Sequence, residues 1–197
     1  MSHQRKKIRQ AIKALLLNNT PAADRVWTNR PNPLSQRPSQ QSASSQLPAI
    51  LIYTRIEDSD VFNEAPRQFL RTVEVVVEIA EAMNDAIDDT LDDYAETVER
   101  LILLDDSLGQ DPDFPNDPEE RVASETRLVR SQMTIADGGE IPIGAAILTF
   151  EVDYHTYHPG EGQPDDLDDF LTADIRYNQK GEQDQADEAH DVVNPDQ

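Results

Sequence analysis

Residues 71–82 read RTVEVVVEIAEA, and their alternation decides the fold class. Val73, Val75, Val77 and Ile79 share one side of an extended chain; Thr72, Glu74, Val76 and Glu78 share the other. A period of two places successive side chains on opposite faces, so residues 68–80 are predicted to form a strand with one buried face. Residues 143–157 repeat the pattern, with Ala146, Leu148, Phe150, Val152 and Tyr154 together. Residues 124–136 alternate less cleanly, Arg127, Val129, Ser131, Met133 and Ile135 against Leu128, Arg130, Gln132 and Thr134. Asp137-Gly138-Gly139-Glu140 between these two strands is a turn signal. Upstream, Leu47 to Thr54 (LPAILIYT) reads as a buried strand that tolerates Pro48 only among its first residues. Arg25 to Thr28 makes a short strand, and Glu57 to Pro66 reads as a polar loop carrying the apolar pair Val61-Phe62.

Two segments carry the helical period instead. In residues 3–17, Ile8, Ile12 and Leu15 fall at i, i+4 and i+7, widened by Ala11 and Leu16. Ser2 is the expected N-cap, and Asn18 to Pro21 ends the helix. Arg5, Lys6, Arg9 and Lys13 lie mostly off the apolar stripe. In residues 85–104, Ile87, Leu91, Tyr94, Val98, Leu101 and Ile102 form the stripe, and Asp88, Asp89, Asp92, Asp93, Glu96 and Glu99 crowd the other side. Acids early in a helix suit its positive end. Gly109 and the following DPDFPNDP form an acidic loop. The order helix, strand, strand, strand, helix, strand, strand predicts an α+β fold, a mainly antiparallel sheet with two helices on one face.

Two stretches stand apart from this domain, which covers residues 1–158. Residues 31–46 (PNPLSQRPSQQSASSQ) offer almost nothing to bury and read as a loop insertion. Residues 159–197 hold twelve acids against Arg176 and Lys180 and form an acidic arm. Within it Leu167, Phe170, Leu171, Ile175 and Tyr177 are anchors for a partner or a neighbouring subunit, or a short extra strand on their own domain.

The chain has 197 residues, no Cys and a net charge of −22. Zero Cys excludes disulfides, zinc–thiolate sites and a thiol nucleophile. The acidity opposes a general grip on phosphates. No apolar run is long enough for a membrane helix, and the basic N-terminus lacks the pattern of a signal peptide. The average conceals a polarity. Residues 1–48 carry eight bases against Asp24 alone, a balance of +7, which leaves −29 on the rest. Such halves attract each other within one chain or between copies; they read either as a solvated surface of uneven composition or as charge-complementary assembly between subunits.

Catalytic patterns are missing. No phosphate-binding glycine loop and no G-x-S-x-G occurs. The 111–122 window lacks the central Gly and the final Glu of a calcium-binding loop. His155 and His158 are the best metal candidate, yet a spacing of three puts them on opposite faces of a strand. The aromatics lie among acids, unlike a nucleic-acid stacking platform.

The element order together with HQRKKIRQAIKALLL (3–17), LPAILIYTRIEDSDVFNEAP (47–66), RTVEVVVEIAEA (71–82), LDDYAETVERLILLDDSL (91–108) and IGAAILTFEVDYHTY (143–157) resembles the tail-terminator proteins of long-tailed phages, the minor tail protein U-like family. The insertion at 31–46 and the arm after His158 depart from that family's compact core. The resemblance implies a structural virion protein without catalysis, cofactor or metal. It implies a homo-hexameric ring at the tail–neck junction, assembled in the host cytoplasm. The ring caps the tail tube, ends its polymerisation and provides the head-joining surface. The implied partners are copies of itself, the tube protein and a neck protein; DNA is only passing cargo, and no membrane is involved. Candidate subunit contacts are Arg5, Lys6, Arg9 and Lys13 against Asp88, Asp92 and Glu96. Candidate tube or ring contacts are Asp58, Val61 and Phe62. Another head–tail connector or adaptor, and an acidic DNA mimic that blocks a DNA-binding enzyme, are the alternatives.

Overall fold

Ile8, Ile12 and Leu16 are fully buried along one side of α1 (Gln4–Leu16), which is why this basic segment folds as a helix against a sheet. Its N-cap is His3, whose Nδ1 accepts from the Arg5 amide at 3.3 Å, so the cap lies one residue beyond the expected Ser2. At the other end Asn18 adopts a left-handed φ of 60°. Asn is among the few residues that do so cheaply. The Asn19 side chain and the Thr20 hydroxyl then donate to the carbonyls of Leu15 and Leu16, satisfying the last turn.

The computed structural model describes residues 3–28, 46–117, 120–136, 142–158, 173–177 and 189–193. The chain divides into two compact units, residues 1–158 and 159–197. In the first, α1 is followed by β1 (Val26–Trp27), β2 (Ala49–Glu64), β3 (Arg67–Ala82), α2 (Ile87–Leu103), β4 (Glu125–Ala136) and β5 (Ile143–Tyr157). The sheet order is β1-β2-β3-β5-β4. All pairings are antiparallel except β1 with β2. This is the α+β architecture that the alternation predicts. In the second unit β6 (Ala173–Tyr177) pairs antiparallel with β7 (Ala189–Val193). Ile175 and Tyr177 lie on β6. Leu167, Phe170 and Leu171 lie outside the described residues, as do 31–45 of the Ser/Gln/Pro-rich stretch and the turn at 137–140.

The core lies between the helices and one sheet face. Ile50, Ile52, Val73, Val75, Val77, Ile79, Leu148, Phe150 and Val152 meet Ile8, Ile12, Leu16, Leu91, Val98 and Ile102. Phe150 is the bulkiest of the fully buried side chains, and truncation of such a residue to Ala costs about 3–5 kcal/mol. Gly144 lets α2 approach β5: a Cβ there would lie 2.6 Å from Ile87 Cγ1. Leu47, Ala49 and Ala80, with Trp27, Ala82 and Ile143, form a smaller cluster.

One expectation is corrected. Residues 57–64 are not a loop; they continue β2, which spans 16 residues, or about 50 Å. β3 and β5 extend with it, pairing as far as Gln68 and Tyr157. Two bulges hide this strand from a period-two reading. Three residue steps from Thr54 to Glu57 oppose two from Val75 to Val73, and a second irregularity falls between Val61 and Asn63. After the first bulge odd-numbered residues of β2 take the face that even-numbered ones held.

Candidate functional site

The distal halves of β2, β3 and β5 form a three-stranded blade, since β4 begins only at Glu125, opposite Asp153. Its root is fixed by Glu57. The first bulge turns this carboxylate onto the helix-bearing face, where Arg5 of α1 reaches Glu57 Oε2 at 3.0 Å and Arg71 of β3 reaches Oε1 at 3.1 Å. The Tyr154 hydroxyl donates a short hydrogen bond to the same Oε1. Burial, the largest single influence, raises the Glu57 pKa, but the bonds from Tyr154 and Arg71 and the charges of Arg5 and Arg71 together hold it below the usual carboxylate range. Tyr154 is pushed well above an ordinary phenol by burial and then by its bond to Glu57.

Toward its tip the blade exposes apolar surface. Val61 is 49% exposed and Phe62 61%. Asp58, Asp60, Asn63 and Glu64 around them are exposed too. The Phe62 ring meets the His155 imidazole edge-on at 4.5 Å between centroids. Phe69 lies between Arg67, 5.4 Å from its ring, and His158. The two histidines therefore contact different phenylalanines. Among the described residues no group of three or more His, Asp or Glu is arranged to hold a metal ion.

The opposite sheet face is laced by charge. Arg127 of β4 donates to Asp153 at 2.7 Å and to Glu151 at 2.6 Å, and the Thr72 hydroxyl donates to Asp153 at 2.6 Å. Bonds from Asp153 first and Glu151 next raise the Arg127 pKa. Glu74 and Glu151 face each other across β3 and β5, a like-charge pair that Arg55 at 3.5 Å and Arg127 offset from either side.

The candidate contact residues on the helices separate into two groups. Arg5 is engaged by Glu57, and Arg9 donates to the Thr54 hydroxyl at 3.1 Å, so both fasten α1 to β2. Lys6 is exposed and Lys13 half-buried. Asp88, Asp92 and Glu96 are exposed on α2, and α2 packs beside α1 on the same sheet face.

Lys7 carries no distinguishing mark in the sequence. This ammonium is buried and lies 2.7 Å from both oxygens of Asp111 and 2.8 Å from Asp113. The Phe114 ring lies 5.9 Å beyond it. Burial, the largest single influence, lowers its pKa, yet the bonds and charges of Asp111 and then Asp113 outweigh this and raise it. The 111–122 segment thus takes its cation from α1. The only available signal was an acid-rich loop that fails as a calcium site. A groove of about 520 Å³ runs alongside, between Ala11, Ala14 and Leu15 of α1 and Leu108, Pro112 and Val122 of the loop.

The sequence matches no protein-family model and no curated protein. Among the described residues no helix is long and apolar enough to cross a membrane.

Proposed function

We propose that this chain is a non-enzymatic structural protein of the phage tail-terminator type, needing no cofactor. Copies form a ring, a homo-hexamer by the resemblance, at the tail–neck junction of the virion. The ring closes the tail tube, stops its growth and offers its other side to a neck protein. Assembly takes place in the host cytoplasm, and DNA passes through the ring as cargo.

One observation carries this reading: the blade presents exposed Val61 and Phe62 inside a rim of Asp58, Asp60 and Glu64. Val61, opposite Phe69, and Phe62, against His155, put apolar surface on both faces of an exposed, polar-rimmed projection, the mark of a protein contact. The blade is tied to the core at its root through Glu57, and its strands pair out to Glu64 and Arg67. Exposed acids on α2 and the exposed Lys6 set up a field that orients approaching copies and repels phosphates from the ring.

The test is binding to purified tail tubes, read by negative-stain imaging and by mass in solution. A ring at tube ends is expected, with Phe62→Ala and Val61→Asp each reducing tube binding at least tenfold while leaving the circular dichroism unchanged. Binding to the portal side instead of the tube would make the chain an adaptor. Tight binding to a basic DNA enzyme as a monomer would make it a DNA mimic.

A further inference from the structure

The four long strands alternate in direction across the sheet, β2 up, β3 down, β5 up and β4 down. Among the described residues β4 pairs with β5 alone, and β2 beyond Leu51 pairs with β3 alone. These two edges differ in chemistry. Residues 56–64 of β2 carry Glu57, Asp58, Asp60 and Glu64 and no base; β4 carries Arg127 and Arg130 against Glu125 alone, with Arg127 bonded to Asp153 and Glu151 of its own sheet and Arg130 exposed. Glu57 is turned inward to Arg5 and Arg71, which leaves three acids outward. Both edges also expose apolar side chains. Ile56 is 58% exposed on β2, and Met133 and Ile135 are 41% and 58% exposed on β4.

We infer that β4 of one copy pairs edge to edge with residues 56–64 of β2 in a second copy of this chain. The inference rests on the ring reading above and names the surface that closes the ring. Because β2 and β4 run in opposite directions, copies repeated in a single orientation stay antiparallel across every junction. Set antiparallel, the Arg127–Arg130 end of β4 meets the Asp60–Glu64 end of β2, while Met133 and Ile135 lie toward Ile56. Charge and apolar surface match in the same alignment. Main-chain hydrogen bonds between the strands supply affinity, and the side chains select the register. The opposite charges admit β4 to the β2 edge and discourage each edge from pairing with its own kind.

The contact joins different patches on the two copies, so it propagates head to tail and closes only if the rotation allows. β1 already occupies β2 at Ile50 and Leu51, so the junction is offset toward the blade tip. An offset repeated at each junction tilts the strands against the ring axis, as a closed sheet requires.

The experiment uses two variants of the full chain. One carries Arg130→Glu with Met133→Glu in β4, the other Asp60→Lys with Glu64→Lys in β2. Mass in solution is measured by light scattering at physiological salt. The wild type is expected to assemble, each variant alone to remain monomeric, and an equimolar mixture to assemble again, because the altered β4 edge then meets the charge-swapped β2 edge and the two intact edges meet each other. Deuterium exchange on the assembled wild type is expected to slow at least tenfold for amides in 56–64 and 126–135 relative to dilute protein. A monomeric wild type, a variant that assembles as the wild type does, a mixture that stays monomeric, or unchanged exchange in both strands would overturn the inference. Reassembly of the mixture without any binding to tail tubes would instead remove the terminator reading and leave the edge pairing standing.

Discussion

Lys7 and Asp111 are both almost fully buried, with side chains 7% and 5% exposed. Removing one member of such a pair strands the other charge in a low dielectric. Lys7→Met is therefore expected to cost about 3–5 kcal/mol, read from urea denaturation. Lys7→Met combined with Asp111→Leu is expected to cost less than the single change, because the buried carboxylate is then gone and only the more exposed Asp113 loses its lysine. The Lys7 pKa is raised above the ordinary 10.5, so the pair stabilises fully below about pH 10.5 and fails as pH climbs through the raised value. Glu57 behaves in the opposite sense. Its pKa lies below the ordinary 4.5, so its contribution is complete above that pH and is lost as pH falls through the lowered value. Glu57→Gln is expected to lower stability by about 1–3 kcal/mol at pH 7, and the gap to wild type in urea midpoints is expected to close as pH falls below the ordinary carboxylate range. Neither pair was legible in the sequence. Lys7 and Asp111 are 104 positions apart, and Glu57 and Tyr154 are 97 apart. An isolated Lys among Arg5, Lys6 and Arg9 carries no mark of being the buried one.

At the scale of elements, legibility followed the strength of the period. α1, α2, β3 and β5 have a buried face along most of their length, and their apolar positions recur accordingly. The distal part of β2 has no such face. Ser59 to Glu64 are all exposed, so hydrophobic alternation had nothing to report, and the bulges broke what remained. The strand exists there because β3 and β5 offer a long ladder to pair with, which is a tertiary cause. Close approach of α2 to β5 gives a sharper prediction. Gly144→Ala places a Cβ 2.6 Å from Ile87 Cγ1 and 3.2 Å from Leu91 Cδ1. α2 must shift to make room, at about 1–3 kcal/mol, visible as a lower thermal midpoint. The same change is expected to leave the blade intact, because Glu57, Arg71 and Tyr154 lie at the other end of the sheet.

At the scale of the whole molecule, the core side chains among the described residues belong to residues 1–158, which form a compact unit. Removal of 159–197 is therefore expected to leave its cooperative unfolding in place, with a thermal midpoint within a few degrees of the full chain. It deletes twelve acids and two bases, so the net charge falls from −22 to −12. Ion-exchange elution at lower salt is the accompanying check, and a collapse of the melting transition would contradict the prediction. The fold class was readable from alternation and helical period, and the polarity between residues 1–48 and the rest was readable by counting. The contact surfaces were not, because they depend on which strands lack a neighbour and where bulges turn side chains. The first of those bulges separates two design problems. Within β2, Ile50 and Ile52 before the bulge join the core, and the residues after Glu57 build the tip. Losing or gaining one residue between them alters the direction in which the tip points while every core contact keeps its place. A lineage facing a different docking partner has in that single step a way to re-aim its tip without rebuilding the body that carries it.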